Sequence, residues 1–424
     1  TADVSDAAGN AAAQVTSAAF TVNSSLPTIS AIATTAFSWG AVLNATEDNA
    51  NGTVSITTTG VDDGQTVTIT LNGSTYTNTT TGNATTVTIT AAALQALTDG
   101  QSYTMTADVS DADGNAAAQV TSSAFTVDTT LPSISAIATT AFSWGAVLNA
   151  TEDNSNGTVS VTTTGAEDGQ TVTITLNGST YTNTVTDNTT VVTITAAGLQ
   201  ALTDGQSYTM TADVSDAAGN AAAQVTSASF SVDTTLPTIS SVTSSTANGT
   251  YITGQSVSIQ VVFSETVNVS GTPQLTLETG SSDAVVDYSS GSESGTLTFT
   301  YTIGAGQNSL DLDYASTSAL SLNSGSIVDD AGNSATLTLA SPSEANSLGN
   351  NKDLVIDTTA PTITGVTSST ADGTYKSGQS VTILVAFDDT VIVDTTGGTP
   401  TLLMNNGSSG ANATYSSGSN SSTL

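Results

Sequence analysis

A long segment that returns at fixed intervals constrains this chain more than any motif inside it. TADVSDAAGNAAAQVTS begins at Thr1, returns at Thr106 with one change and returns again at Thr211, a spacing of 105 residues. Between these markers, LPTISAIATTAFSWGAVLNATEDN from Leu26 is repeated from Leu131 almost letter for letter, and LNGSTYTN at Leu71 recurs at Leu176. The chain is therefore a tandem array whose unit is long enough to hold a core of its own. After Pro237 the period changes. TISSVTSSTANGTYITGQSVSIQVVFSETV from Thr238 is echoed from Thr362, and Pro237 and Pro361 lie 124 residues apart. This arithmetic predicts a C-terminal part of a repeat over 1–24, two 105-residue repeats over 25–129 and 130–234, a 124-residue repeat over 235–359, and the front of a second one over 360–424. The expectation is an excerpt from a longer array.

Within a repeat, apolar residues alternate with Thr and Ser, as in Val67-Thr68-Ile69-Thr70-Leu71 and Val87-Thr88-Ile89. Period two with β-branched residues marks half-buried strands. Turn signals such as DDGQ at Asp62, LNGS at Leu71 and TDGQ at Thr98 separate them at the spacing of a sandwich. The prediction is all-β: about seven antiparallel strands per repeat, in immunoglobulin-like β-sandwiches stacked end to end. One helix-like piece, AAALQAL from Ala91, leads to Tyr103, a placement suited to a tyrosine corner. Trp39 and Trp144 hold equivalent places in FSWG and are expected to pack inside their repeats. VDTTLP or a variant marks each junction, ending at Pro27, Pro132, Pro237 and Pro361. Proline fixes one dihedral and keeps its predecessor extended, so these linkers should be short and stiff.

Composition decides which chemistries remain. The 424 residues contain 36 acids, two lysines (Lys352 and Lys376), and no Arg, His or Cys, for a formal charge of −34. Such a chain cannot neutralise a run of phosphates and is repelled by an anionic membrane, so nucleic acid and direct membrane insertion are excluded. Without His or Cys there is no Ser-His-Asp or Cys-His nucleophile, no zinc or haem site and no disulfide. Hard cations with oxygen ligands remain.

The succession DTTLP, a strand, DGQTVTITLNG and then LTDGQSYTMTADVSDAAGN resembles the bacterial immunoglobulin-like repeats of very large surface adhesins and biofilm proteins. The longer repeat, with VVFSETV, GTPQLTLETG, LDLDY and IVDDAGNSA, is similar to repeats of the giant swimming-associated cell-surface protein of marine cyanobacteria. The resemblance implies an extracellular location and calcium at the junctions.

The residues point the same way. In such a sandwich the entering linker and two strand-connecting loops gather at one end of the domain. Acids recur at all three places: Asp128, Glu167, Asp168, Asp216 and Asn220 for the repeat from Leu131, and Asp62, Asp63, Asp111, Asp113 and Asn115 for the repeat from Leu26, whose linker carries Asn23 instead of Asp. The longer repeat offers Asp233, Glu265, Asp329, Asp330 and Asn333, and the last segment Asp357, Asp388 and Asp389. Clustered carboxylates cost energy unless a cation or protons neutralise them, and calcium takes six to eight oxygens in flexible geometry. The competing explanation is ordinary turn chemistry, since Asp, Asn and Gly build such loops unaided. Glu47-Asp48-Asn49 and Glu152-Asp153-Asn154 are expected at the opposite end, within reach of the next repeat's site. The sequence predicts no enzyme, but a calcium-stiffened stalk whose partners are neighbouring repeats of the same polypeptide. The alternatives are a filament of identical chains that exchange strands, and a glycan- or cell-binding module.

Overall fold

Alternating Val, Ile and Thr side chains fold as strands in the described residues, 1–405 and 410–424 of the computed structural model, which form two units, Thr1–Thr235 and Leu236–Leu424. Residues 25–129 form β1 (Thr28–Ile29), β2 (Val42–Asn44), β3 (Gly52–Thr59), β4 (Thr66–Leu71), β5 (Ser74–Thr79) and β6 (Ala84–Ile89), then helix α1 (Ala91–Gln95). They continue with β7 (Ser102–Tyr103), β8 (Met105–Asp108), β9 (Val120–Thr121) and β10 (Phe125–Asp128). β3 lies between β1 and β6, β4 between β5 and β8 with β9 beyond, and β10 between β2 and β7. Successive side chains of a strand point to opposite faces, so β3 buries Val54 and Ile56, β4 buries Val67, Ile69 and Leu71, and β6 buries Val87 and Ile89. Each such aliphatic side chain contributes about 1.5–3 kcal/mol when fully buried. The same elements recur from Ser133–Ile134 to Phe230–Asp233 around a separate core.

Local chemistry explains the turns. β4 and β5 meet through Asn72-Gly73, with φ of 46° and 79°, so that Leu71 faces Ser74. Two left-handed residues match the twist of the flanking strands, which is why Asn-Gly suits this position. The tyrosine corner is present: the Thr98 N–H donates to the Tyr103 hydroxyl at 2.9 Å, and Thr203 does the same to Tyr208. Trp39 is buried, stacked on Phe37 at 5.4 Å and edge-on to Phe125 at 5.4 Å. It packs within its repeat, as does Trp144.

The strand count differs from expectation. Ten short segments replace seven longer ones, and one pairing is parallel: Thr126, Val127 and Asp128 of β10 run beside Val42, Leu43 and Asn44 of β2. The cause lies in the FSWG stretch. A 3-10 turn at Thr34–Ala36 and the left-handed Gly40 (φ 74°) interrupt the first strand, so β1 stays with β3 while β2 crosses to β10. Residues 1–24 form isolated bridges, Ala2 with Val15 and Ser5 with Ala11, and their apolar Val4, Val15, Phe20 and Val22 are exposed.

In the second unit, the 15-residue strand Ser256–Ser270 pairs with Ser294–Thr302 and Ile239–Ser244 over a core running from Val242 to Ile356. Its register slips between Val262 and Val267. In residues 360–424, Ile363–Ser368, Ile383–Val391 and Ser421–Thr423 make one sheet and Thr401–Met404 with Ala411–Thr414 another.

Candidate functional site

The join between the two 105-residue repeats lies wholly inside the first unit, and two strand ends deliver its residues. Parallel pairing sets Asp128, the last residue of β10, beside Asn44, the last of β2. The next repeat offers the loop from Asp216 to Asn220, wound by its own chemistry: Asp216 Oδ1 accepts from the Asn220 N–H at 2.8 Å, Oδ2 accepts from Asn220 Nδ2 at 2.9 Å, and Gly219 supplies φ of 91°. Asp216 and Asn220 are buried, at 4% and 1% exposure. Asn220 clamps both strand ends of the preceding repeat. Its Nδ2 donates to the Asp128 carbonyl at 2.9 Å and its Oδ1 accepts from the Ala45 N–H at 2.8 Å, while Asn44 Nδ2 donates to the Ala218 carbonyl at 3.1 Å.

Charge gathers on this frame. Glu167 accepts from the Ala217 N–H at 2.9 Å, and the Asp128 carboxylate sits among Asp216, Asp99 and Glu167. Burial, and then the charges of those three acids, push Asp128 above the usual carboxylate range. Asp99 shifts the opposite way, because the Thr129 N–H at 2.6 Å and the Thr130 hydroxyl at 2.7 Å donate to it. Within the first unit no lysine or arginine offsets the cluster, since the chain's two lysines, Lys352 and Lys376, belong to the second. The oxygens on offer are carboxylates and carbonyls, the donor set that hard divalent cations take.

At the first junction, Asn23 replaces the linker acid. Its Nδ2 donates to Asp113 at 2.9 Å and to Asp111 at 3.4 Å, and Asn115 Nδ2 donates to the Asn23 carbonyl at 3.2 Å. Asp111 and Asn115 repeat the bonds made by Asp216 and Asn220, and Asp62 accepts from the Ala112 N–H at 3.1 Å.

Several expected ligands serve other bonds. Asp63 accepts from the Gly82 N–H at 2.6 Å and Asp168 from the Asp187 N–H at 2.8 Å, so each ties down the turn after its repeat's fifth strand. Asp388 takes the Thr362 N–H at 2.7 Å and its hydroxyl at 2.5 Å, stapling the linker, and Asp389 accepts from the Thr390 N–H. Asp357 accepts from the Thr359 N–H and Asp330 from Asn268. In the second unit, Asp329 and Asn333 form the same buried pair as Asp216 and Asn220. The slip in strand Ser256–Ser270 contains Glu265 and brings a carboxylate oxygen within 4.8 Å of one on Asp329. Asp233 ends the first unit's last strand opposite Asn149, as Asp128 does opposite Asn44.

The reach to the next repeat comes from Asn44 and Ala45, not from the acids after them. Glu47 instead accepts from the Asn44 N–H at 3.1 Å, closing its own turn, and burial raises Asp48, whose Oδ1 is buried without a partner. Asn44 and Asp99 carried no sequence signal beyond ordinary turn composition.

Fold and joint together define a tandem array of immunoglobulin-like β-sandwiches with carboxylates gathered where one repeat meets the next. No protein-family model and no curated relative matches the chain. Among solved structures, it is similar to a Ca2+-stabilized adhesin that helps an Antarctic bacterium reach out and bind ice, at 24% identity over 92% of this chain and 88% of that one, with a TM-score of 0.46. A structure concerned with host cell surface retention of a 1.5-MDa bacterial ice-binding adhesin matches at 22% identity, over 73% of this chain and 95% of that one, with a TM-score of 0.37. A bacterial immunoglobulin-like domain from the M. primoryensis ice-binding adhesin is 33% identical, over 24% of this chain and 95% of that domain, with a TM-score of 0.19. No described helix is long and apolar enough to cross a membrane.

Proposed function

We propose that the chain is a stalk segment of an extracellular cell-surface adhesin, in which calcium at the joints restricts movement between consecutive repeats. The observation that carries this reading is Asp128, a raised carboxylate held among Asp216, Asp99 and Glu167 where the buried Asn220 clamps two strand ends of the preceding repeat. Calcium there neutralises the repulsion and ties linker to loop. Asp128, Glu167 and Asp216 are the proposed ligands at this joint, and Glu265 and Asp329 mark the corresponding place in the longer repeat. Extracellular calcium modules work at about 0.1–1 mM, so the stalk stiffens in a calcium-rich medium. We assign no catalytic residue, because the acids stand at joints and recur from repeat to repeat. On its motifs alone, the 124-residue type is proposed to be of the kind found in the swimming-associated cyanobacterial protein.

Small-angle scattering on the chain in millimolar calcium and then in chelator tests this. Calcium should extend and stiffen the profile, and Asp128→Ala should reproduce part of the chelated profile. An unchanged profile would leave these acids as turn formers. A second reading, self-association, is supported by an apolar groove of about 310 Å³ in residues 360–424, lined by Ile363, Ile383, Phe387 and Leu402 among others. Concentration-dependent sedimentation would reveal it.

A further inference from the structure

We infer that Asn78 and Asn183 are latches on the open side of the 105-residue sandwiches, and that they keep two unpaired strand edges from accepting a strand of a second copy of the chain. The site is separate from the joints and independent of calcium. β5 pairs with β4 and β6 with β3, so each leaves one edge outside its sheet's ladder. Hydrogen-bonded and non-bonded pairs alternate along an antiparallel ladder. The two-residue turn at Asn72-Gly73 makes Leu71 and Ser74 a bonded pair, so the backbone groups of Thr75, Thr77 and Thr79 point away from β4. The Thr58 N–H donates to the Asn83 carbonyl at 2.8 Å, which fixes the alternation on β6 and turns the backbone groups of Thr86 and Thr88 away from β3.

Asn78 spans these two edges. Its Nδ2 donates to the Thr86 carbonyl at 2.8 Å and its Oδ1 accepts from the Thr79 N–H at 2.9 Å, while the Thr85 hydroxyl donates to the Thr79 carbonyl at 2.9 Å. Both outward groups of Thr79 and the outward carbonyl of Thr86 are thereby occupied. Asn183 makes the same two bonds in the next repeat, to the Val191 carbonyl at 2.8 Å and from the Thr184 N–H at 2.9 Å, although valine stands where the first repeat has threonine. The acceptor is backbone, so the amide, not the residue opposite, decides whether the latch forms. The 124-residue repeat closes the corresponding side with a ladder. There Ala284–Ser290 pairs with Gln274–Glu278 on one edge and with Ser294–Thr302 on the other, through Tyr288 with Phe299 and Ser290 with Thr298. A side that is laddered in one repeat type and latched in the other has room for backbone pairing, and open edges take strands from other chains. With the latch gone, the outward groups of Thr75, Thr77, Thr86 and Thr88 complete such a ladder with a second copy.

Hydrogen exchange and sedimentation velocity on the whole chain test this, with Asn78→Ala/Asn183→Ala set against the wild type at equal concentrations and in high salt, which screens the charge of −34. At low concentration, peptides covering 74–88 and 179–193 should exchange about two- to tenfold faster in the variant, the range expected for one lost hydrogen bond. At high concentration the variant should sediment as larger species than the wild type, and the same peptides should slow again as a strand of a second copy covers them. Association through 360–424 is common to both proteins and cancels in the comparison. Adding Thr77→Pro and Thr182→Pro to the alanine variant removes an outward N–H from each edge, so association should disappear while exchange stays fast. Unchanged exchange in the alanine variant overturns the inference, as does an opened edge that sediments like the wild type at every concentration. Association that leaves these peptides fast, or that survives the prolines, places the contact elsewhere and overturns it too.

Discussion

Gly52→Ala tests the packing of the first repeat at its tightest point. Gly52 opens β3 opposite the Trp39 ring, and a Cβ there would fall 2.7 Å from Cε3 of the indole and 3.0 Å from Leu94 Cδ1. The indole cannot step aside, since Phe37 stacks on it and Phe125 meets it edge-on. Overpacking a core costs about 1–3 kcal/mol, against which alanine recovers about 0.4–1 kcal/mol through the unfolded chain, leaving a loss of about 1–2 kcal/mol. With a urea slope of about 1–3 kcal/mol/M, the midpoint should fall by about 0.3–2 M. Because an array does not unfold in one step, the readout must be local. In a Trp144→Phe background, Trp39 is the sole indole and its fluorescence reports the first repeat. Gly198→Ala provides the contrast. Its Cβ would press on the free end of Tyr181, 2.9 Å from Cζ, and the first repeat already carries Ala93 at that place beside Tyr76. That end can swing, and a helical alanine gains up to about 1 kcal/mol over glycine, so Gly198→Ala, followed through Trp144 in a Trp39→Phe background, should be neutral or stabilising. If Gly52→Ala is as stable as its parent, or less harmful than Gly198→Ala, the argument from a rigid ring against a free end is wrong.

Carboxyl titration by NMR should place Asp128 above and Asp99 below the ordinary value of 3.8. Asp128 then contributes stability that is present below 3.8 and lost as pH rises through its folded pKa; Asp99 contributes stability present above 3.8 and lost as pH falls through its own. Calcium should pull Asp128 down, and an Asp128 that titrates at or below 3.8 in chelator would remove the repulsion on which the site depends. Tyr103→Phe deletes the acceptor for the Thr98 N–H and should cost about 0.5–1.5 kcal/mol in the local unfolding of the first repeat; a neutral result would mean that water replaces the hydroxyl. Asn44→Ala removes the bond to the Ala218 carbonyl and also the acceptor for the Thr46 and Glu47 N–H groups of its own turn, so it should speed exchange both around 214–222 and around 44–48, and unchanged exchange over 214–222 would mean that the bond across the joint contributes nothing.

The strands, the Asn-Gly hairpin, the tyrosine corner and the indole packing were legible because each depends on a few adjacent residues. The parallel pairing of β10 with β2 was not, since it follows from where the FSWG stretch breaks the first strand, a tertiary event. At the joint, Asp128, Glu167, Asp216 and Asn220 could be named from loop position alone. Asp63, Asp168, Asp388 and Asp389 could not be separated from them, because an aspartate that ties a turn and one that faces a neighbour look alike in a string of letters. Asn44 stayed hidden for a further reason: its partner is the Ala218 carbonyl, and a backbone group has no residue type to read.

The parallel pair has a mechanical consequence. β2 lies near the start of its repeat and β10 at its end, so tension along the chain draws them in opposite directions along their own length. The three residue pairs from Thr126–Val42 to Asp128–Asn44 are then loaded together in shear rather than peeled one at a time. The same arrangement recurs as Val147 to Asn149 beside Ser231 to Asp233, and as Gly249 to Tyr251 beside Leu354 to Ile356. Asn220 grips both members of the first pair at their outer ends, so the joint bears on the strands through which a pulled chain would carry its force.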